Sequence, residues 1–110
     1  MEIKELKRKD ETLTAILSGR MDAITATNFS NQMETWMESE VKSFIIDCSE
    51  LDYISSAGLR AILMAAKKIR GLNGSLQLAA LQESVHNVFR ISGFDKIIPI
   101  APTLDDASNQ

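Results

Sequence analysis

The sequence predicts an α/β domain in which a mixed sheet of about five strands carries helices, in the order ββαβαβαβ. Three observations predict it. Short runs of strand-favouring apolar residues, such as Leu13-Thr14-Ala15-Ile16-Leu17 and Phe44-Ile45-Ile46, are separated by longer stretches whose apolar positions return every three or four residues. The first two strand-like runs are joined only by the polar pair Asp10-Glu11, which suits a hairpin. From the third run onward, strand and helix patterns alternate to the end of the chain.

Each element has its own signal. Ile3 to Lys9 alternates loosely and pairs with Leu13–Leu17, which Gly19 is expected to end. Asp22 stands just before a helical pattern in which Phe29, Met33, Trp36 and Met37 share one face, while Asn28, Gln32, Glu34 and Glu38 point elsewhere. Val41 to Asp47 reads as the central strand, and its continuous apolar run implies that both faces are covered. A short turn should follow. The second helix is expected from about Ser56 to Arg70, with Leu59, Ile62, Leu63, Ala66 and Ile69 at helical spacing and Gly71-Leu72-Asn73-Gly74 as its stop. Lys67, Lys68 and Arg70 suit the negative end of its dipole. Ser75 to Leu81 makes a fourth strand. Glu83 to Ser92 makes a third helix with Val85, Val88, Phe89 and Ile91 on its apolar side and Gly93 as its terminator. Ile97-Ile98-Pro99-Ile100 reads as a short edge strand, where a proline is tolerated, and Thr103 to Ala107 as a last helical turn.

Composition bounds the function. The 110 residues suit one domain spanning 1–110, and 45% hydrophobic with 25% charged residues is ordinary for a globular protein. A net charge of −3 argues against nucleic acid as a partner. The basic run Lys4 to Lys9 is interrupted by Glu5 and Leu6 and reads as the wet face of a first strand. The longest apolar stretch, near Ala61 to Ala66, is far too short to span a membrane, and Met1-Glu2-Ile3-Lys4-Glu5 has no signal-peptide core. One cysteine, Cys48, cannot form an internal disulfide. The expectation is a cytoplasmic domain with neither a membrane nor a nucleic-acid partner.

The junction before the second helix is the most informative stretch. Ser55 and Ser56 fall where a helix begins, so a side-chain oxygen there can accept a first-turn N–H, and the site tolerates an anion such as phosphate. A serine in that place is a plain N-cap on one reading and a phosphate acceptor on the other.

The string Tyr53-Ile54-Ser55-Ser56-Ala57-Gly58-Leu59-Arg60, following Ile46-Asp47-Cys48-Ser49, resembles the signature of STAS domains, and in particular the stand-alone anti-sigma factor antagonists of bacteria. The resemblance runs from about Ile3 to about Ala101. It includes Gly19-Arg20-Met21-Asp22-Ala23, which is similar to the family's loop between second strand and first helix. It implies the STAS fold with the helices packed on one face of the sheet. The family signature is Asp-Ser-Ser/Thr-Gly, its first serine being phosphorylated. Aligned on Gly58, that serine is Ser56, with Ser55 in the place of the acid and Ala57 in the place of the second hydroxyl. Ser55 is uncharged, and it is the second candidate for the phosphate. Asp22 is an N-cap or, as the resemblance implies, the loop acid beside the phosphorylated serine. Asp47 is a strand-end residue held by backbone N–H groups or the acid that the family carries close below that serine. Arg60 can hold the phosphate, meet a partner's acid or face water.

Other chemistries lack their residues. A serine nucleophile needs a base, and the one histidine, His86, lies on the third helix, while Ile54 breaks the Gly-x-Ser-x-Gly elbow. One cysteine and one histidine make no structural zinc site, the acids Asp47, Glu50 and Asp52 lack calcium-loop spacing, and no Gly-x-x-x-x-Gly-Lys motif is present. No cofactor or metal is expected, and the chain reads as a binding protein rather than an enzyme. The resemblance implies that it binds an anti-sigma factor that is itself a serine kinase, is released on phosphorylation of Ser56, and is reset by a phosphatase. Met21, Asp22, Ile24, Ser55, Ser56, Ala57 and Arg60 are the expected contact rim. The alternative is an unphosphorylated docking module of a larger signalling or transport assembly.

Overall fold

The computed structural model describes residues 1–108. Strands β1 (Glu2–Lys9) and β2 (Thr12–Met21) form the expected hairpin around Asp10-Glu11, with Asp10 in the left-handed region at φ 56°. Helix α1 (Ala23–Met37), strand β3 (Ser43–Ile54), helix α2 (Ser56–Gly71), strand β4 (Ser75–Ala79), helix α3 (Glu83–Ser92), strand β5 (Ile100–Ala101) and helix α4 (Leu104–Ser108) follow. The sheet runs β1-β2-β3-β4-β5, antiparallel between β1 and β2 and parallel elsewhere. Because each parallel strand is laid down beside the last in one direction, right-handed crossovers carry α1, α2 and α3 to the same face.

That face holds the main core. Leu13, Ala15 and Leu17 of β2, Phe44, Ile46 and Cys48 of β3, and Leu76 and Leu78 of β4 meet Phe29, Met33 and Trp36 of α1, Ile62 and Ile69 of α2, and Val85 and Phe89 of α3. The alternate residues point the other way, and there α4 departs from the one-faced arrangement. Its Ala107 and Leu104 pack with Ile45, Ala79 and Ala101, so Ile45 is buried on the far side of the sheet from its neighbours Phe44 and Ile46. This is the physical basis of the unbroken apolar run in β3.

Several expected boundaries shift. Gly19 does not end β2: it sits at φ 88° where the β2–β3 register slips, and the strand continues to Met21. The turn expected after Asp47 is absent, since β3 runs on to Ile54 paired to the extended β2. Helix α2 passes through Gly71, and Asn73 (φ 65°) takes the left-handed position that ends it. Strand β4 stops at Ala79 rather than Leu81. The predicted strand at Ile97 begins only at Ile100, because Phe94–Lys96 forms a 3-10 turn whose Phe94 carbonyl accepts from the N–H groups of Ile97 and Ile98. Ile91, read with the apolar residues of α3, is 88% exposed, whereas Gly93 (φ 80°) terminates α3 as expected.

Candidate functional site

Residues Met21 and Ile54 are register partners at the same end of β2 and β3. The helices that follow, α1 and α2, therefore start side by side, about one strand spacing of 4.8 Å apart at their entry points. The Ser55 N–H donates to the Met21 carbonyl at 2.8 Å and locks the two strand ends together. Ser55 is the N-cap of α2, with extended backbone, and its Oγ accepts from the Gly58 N–H at 3.1 Å. Ser56 is the first helical residue and is exposed; among the described residues its hydroxyl has no hydrogen-bond partner. The two serines thus divide the two sequence readings between them. Ser55 is the cap, and Ser56 is the free hydroxyl at a helix start with no acid in its first turn.

Removing the cap isolates its share. Ser55→Ala is expected to cost about 1 kcal/mol and lower the melting temperature by roughly 4–8 °C, measured by thermal denaturation. It leaves the Ser56 hydroxyl where it is.

Gly58 explains how the site is held so close to the sheet. A Cβ there would stand 2.9 Å from Met21 Cγ, 2.9 Å from the Met21 carbonyl oxygen and 3.0 Å from Ile54 Cγ1. Met21 itself corrects an expectation. It is the last residue of β2 rather than part of a loop, and it is fully buried, so it supports the rim from below and cannot be a contact residue on the surface.

Asp22 caps α1 in a reciprocal box: its Oδ1 accepts from the N–H groups of Ile24 and Thr25, both at 3.0 Å, and its own N–H donates to Thr25 Oγ1 at 2.9 Å. The Thr25 N–H, and then the Thr25 hydroxyl, hold its carboxyl below the ordinary value of 3.8. A carboxyl with a depressed folded value stabilises the fold at neutral pH and loses that contribution as pH falls through and below 3.8. Melting temperatures across that acid window should therefore fall more steeply for the wild type than for Asp22→Asn, which keeps a capping oxygen without the charge.

The rest of the rim is laid out by α1 and α2. Ile24 is 80% exposed on the first turn of α1, Ala57 is half-buried, and Arg60 is exposed one helical turn beyond Ser56 with no ion-pair partner among the described residues. Asp47 is not at a strand end. It lies in the middle of β3, and its Oδ1 accepts from the Ser49 N–H at 2.9 Å, where the β2–β3 register first slips. Its β2 partner Ile16 is five strand steps, about 17 Å, from Met21, so it does not stand close below Ser56. Two features at this end had no clear sequence signal: the Arg20 guanidinium lies 4.2 Å over the Tyr53 ring, and Gln82 Nε2 donates to the Ser49 carbonyl and to Asp52. Arg20 and Tyr53 are opposite each other only because β3 extends past the expected turn.

Among the described residues no side chain is hydrogen-bonded to the Ser56 hydroxyl. His86 is on α3 with no hydrogen bond to Ser56, and burial pushes the Cys48 thiol up to about 12, so it stays protonated. No group of three or more metal-ligating side chains is gathered among the described residues. None of the helices there is long and apolar enough to cross a membrane.

This sheet order, with a serine-capped α2 rising beside a short β2–α1 connection, belongs to a known class, and the chain is a member of the STAS domain family, whose model matches residues 4–107. Three similar proteins are named as anti-sigma factor antagonists. It is 36% identical over 99 residues to the candidate anti-sigma factor antagonist BtrV of Bordetella bronchiseptica, covering 90% of this chain and 85% of that one. It is 31% identical over 100 residues to the anti-sigma-B factor antagonist of Listeria monocytogenes, covering 91% and 86%. The crystal structure of an anti-sigma factor antagonist from Mycobacterium paratuberculosis superposes with a TM-score of 0.86 at 25% identity, over 98% of this chain and 92% of that one.

Proposed function

We propose that this chain is an anti-sigma factor antagonist, a binding protein rather than an enzyme, whose hold on its partner is broken by phosphate on Ser56. The observation that carries the reading is the division of labour at the start of α2: Ser55 Oγ is committed to the Gly58 N–H, while the Ser56 hydroxyl is exposed and unbonded. A kinase can reach Ser56 without undoing the cap. The relatives named as anti-sigma factor antagonists supply the class of partner.

In the proposed cycle the unphosphorylated chain binds an anti-sigma factor through Asp22, Ile24, Ser56, Ala57 and Arg60 and so releases a sigma factor. The anti-sigma factor, acting as a serine kinase, transfers the γ-phosphoryl group of ATP to Ser56 Oγ, the hydroxyl proton leaves to solvent or base, and ADP departs. A phosphatase hydrolyses the phosphoserine and resets the chain. The phosphate needs no change of fold, because a helix N-terminus accommodates it. A local block suffices.

The test is isothermal titration of the chain with the anti-sigma factor kinase of its own genome, without and with ATP. Binding that is lost as Ser56 becomes phosphorylated supports the proposal. Stable binding with no phosphate on Ser55 or Ser56 would replace it with an unphosphorylated docking module.

A further inference from the structure

We propose that the cleft between α1 and α2 seats one amphipathic helix of the protein partner, with an apolar stripe flanked by Asp and Glu; this rests on the reading that the partner is an anti-sigma factor. The cleft has a volume of about 790 Å³, with Met37 of α1 and Ala57, Ala61 and Met64 of α2 along its walls and the fully buried Met33 beneath them. Met64 is 63% exposed, whereas the large apolar side chains Leu59, Ile62 and Ile69 of the same helix are buried in the core. The α2 wall runs from Ala57 to Lys68, about 16 Å at 1.5 Å per residue, which matches three turns of a docked helix. Methionine-lined grooves adapt to such a guest.

Charge selects the guest. The cleft walls carry Arg60, Lys67 and Lys68 against a single acid, Glu34. Lys68 is ion-paired to Glu34, and Arg60 and Lys67 have no acidic partner among the described residues. A chain of net charge −3 therefore presents two unmatched cations along one edge of an apolar groove. A helix with acidic flanks matches that edge, and its binding should weaken as salt rises.

The cleft also begins at Ala57, the residue after Ser56. A phosphate on Ser56 would lie one turn from Arg60, draw that guanidinium to itself and repel an acidic flank entering the cleft. The proposed switch and the groove would then be two parts of one surface.

The deciding measurement is titration of the anti-sigma factor against the wild type, Met64→Glu, the double variant Arg60→Glu/Lys67→Glu, and Ile91→Glu as an equally exposed change on α3. Both cleft variants should weaken binding by about tenfold or more, and Ile91→Glu by no more than about twofold. Wild-type affinity in both cleft variants, alongside weakened binding by Ser56→Glu, would overturn the cleft while leaving the antagonist reading intact. If the wild type does not bind the anti-sigma factor, that reading fails instead. The cleft is then tested alone by NMR titration with a helical peptide of about 18 residues bearing a leucine stripe and glutamate flanks. Shifts at Ala61 and Met64 that a lysine-flanked peptide does not produce would support it, and their absence would overturn it. A wild-type dimer that Met64→Glu disperses in sedimentation would give the cleft to a second copy, and would likewise overturn it.

Discussion

Phosphoserine at position 56 is expected to weaken anti-sigma factor binding about a hundredfold, and Ser56→Glu about tenfold, while Ser56→Ala binds like the wild type and takes no phosphate. A partner carboxylate roughly 6 Å away is repelled by about 2.8 kcal/mol per unit charge at an effective dielectric near 20. A phosphate of about −1.5 to −2 multiplies that to ~4–6 kcal/mol before screening. Ser56 is exposed, so salt and solvent remove about half, and the remaining ~2–3 kcal/mol corresponds to about a hundredfold. The graded order matters more than either value. Titration of the three forms at two salt concentrations checks it, because a purely steric block would leave Ser56→Glu and phosphoserine equally salt-insensitive.

Gly58→Ala is expected to be the most damaging single change at the site that removes no polar group. The added methyl would meet Met21 Cγ and the Met21 carbonyl at 2.9 Å and Ile54 Cγ1 at 3.0 Å. The carbonyl cannot move aside, since it accepts the Ser55 N–H that ties β2 to the start of α2. Either the core around Met21 gives way or the first turn of α2 lifts off the sheet. Overpacking of this kind costs about 1–3 kcal/mol, which in a domain of this size is roughly 5–15 °C in melting temperature. Lifting α2 also moves Ser56 and Arg60, so the partner's affinity should fall along with stability. Thermal melting together with titration separates this from Ser55→Ala, which loses stability alone.

How much of this was legible in the chain follows from which interactions are local. The hairpin at Asp10-Glu11, the face of α1, the Gly93 terminator and the placement of Ser55 and Ser56 at the head of α2 all depend on spacing and capping chemistry within a few residues, and they read directly. The run of β3 through Ser49–Tyr53 did not. Polar residues there look like a turn, and only pairing with β2 across the register slips makes them strand. Two consequences follow from that extension: Asp47, readable either as a strand-end residue or as an acid close below Ser56, lies mid-strand, and Arg20 stacks on Tyr53, 33 positions away in sequence and met only through register. Met21, expected in a loop, is buried because β2 runs on to it and Gly58 packs over it. The cleft between α1 and α2 is a property of two helices packed together, and neither helix announces it alone.

Peptide mass spectrometry of the chain purified from its native cells, beside its Ser56→Ala variant, tests the switch most directly. The expected result is a phosphate on the peptide that contains Ser55 and Ser56, fragment ions that place it on Ser56, and its loss in Ser56→Ala. A phosphate that persists in Ser56→Ala would put the modification on the capping serine, and a peptide that stays unmodified under every growth condition would contradict a phosphate switch altogether.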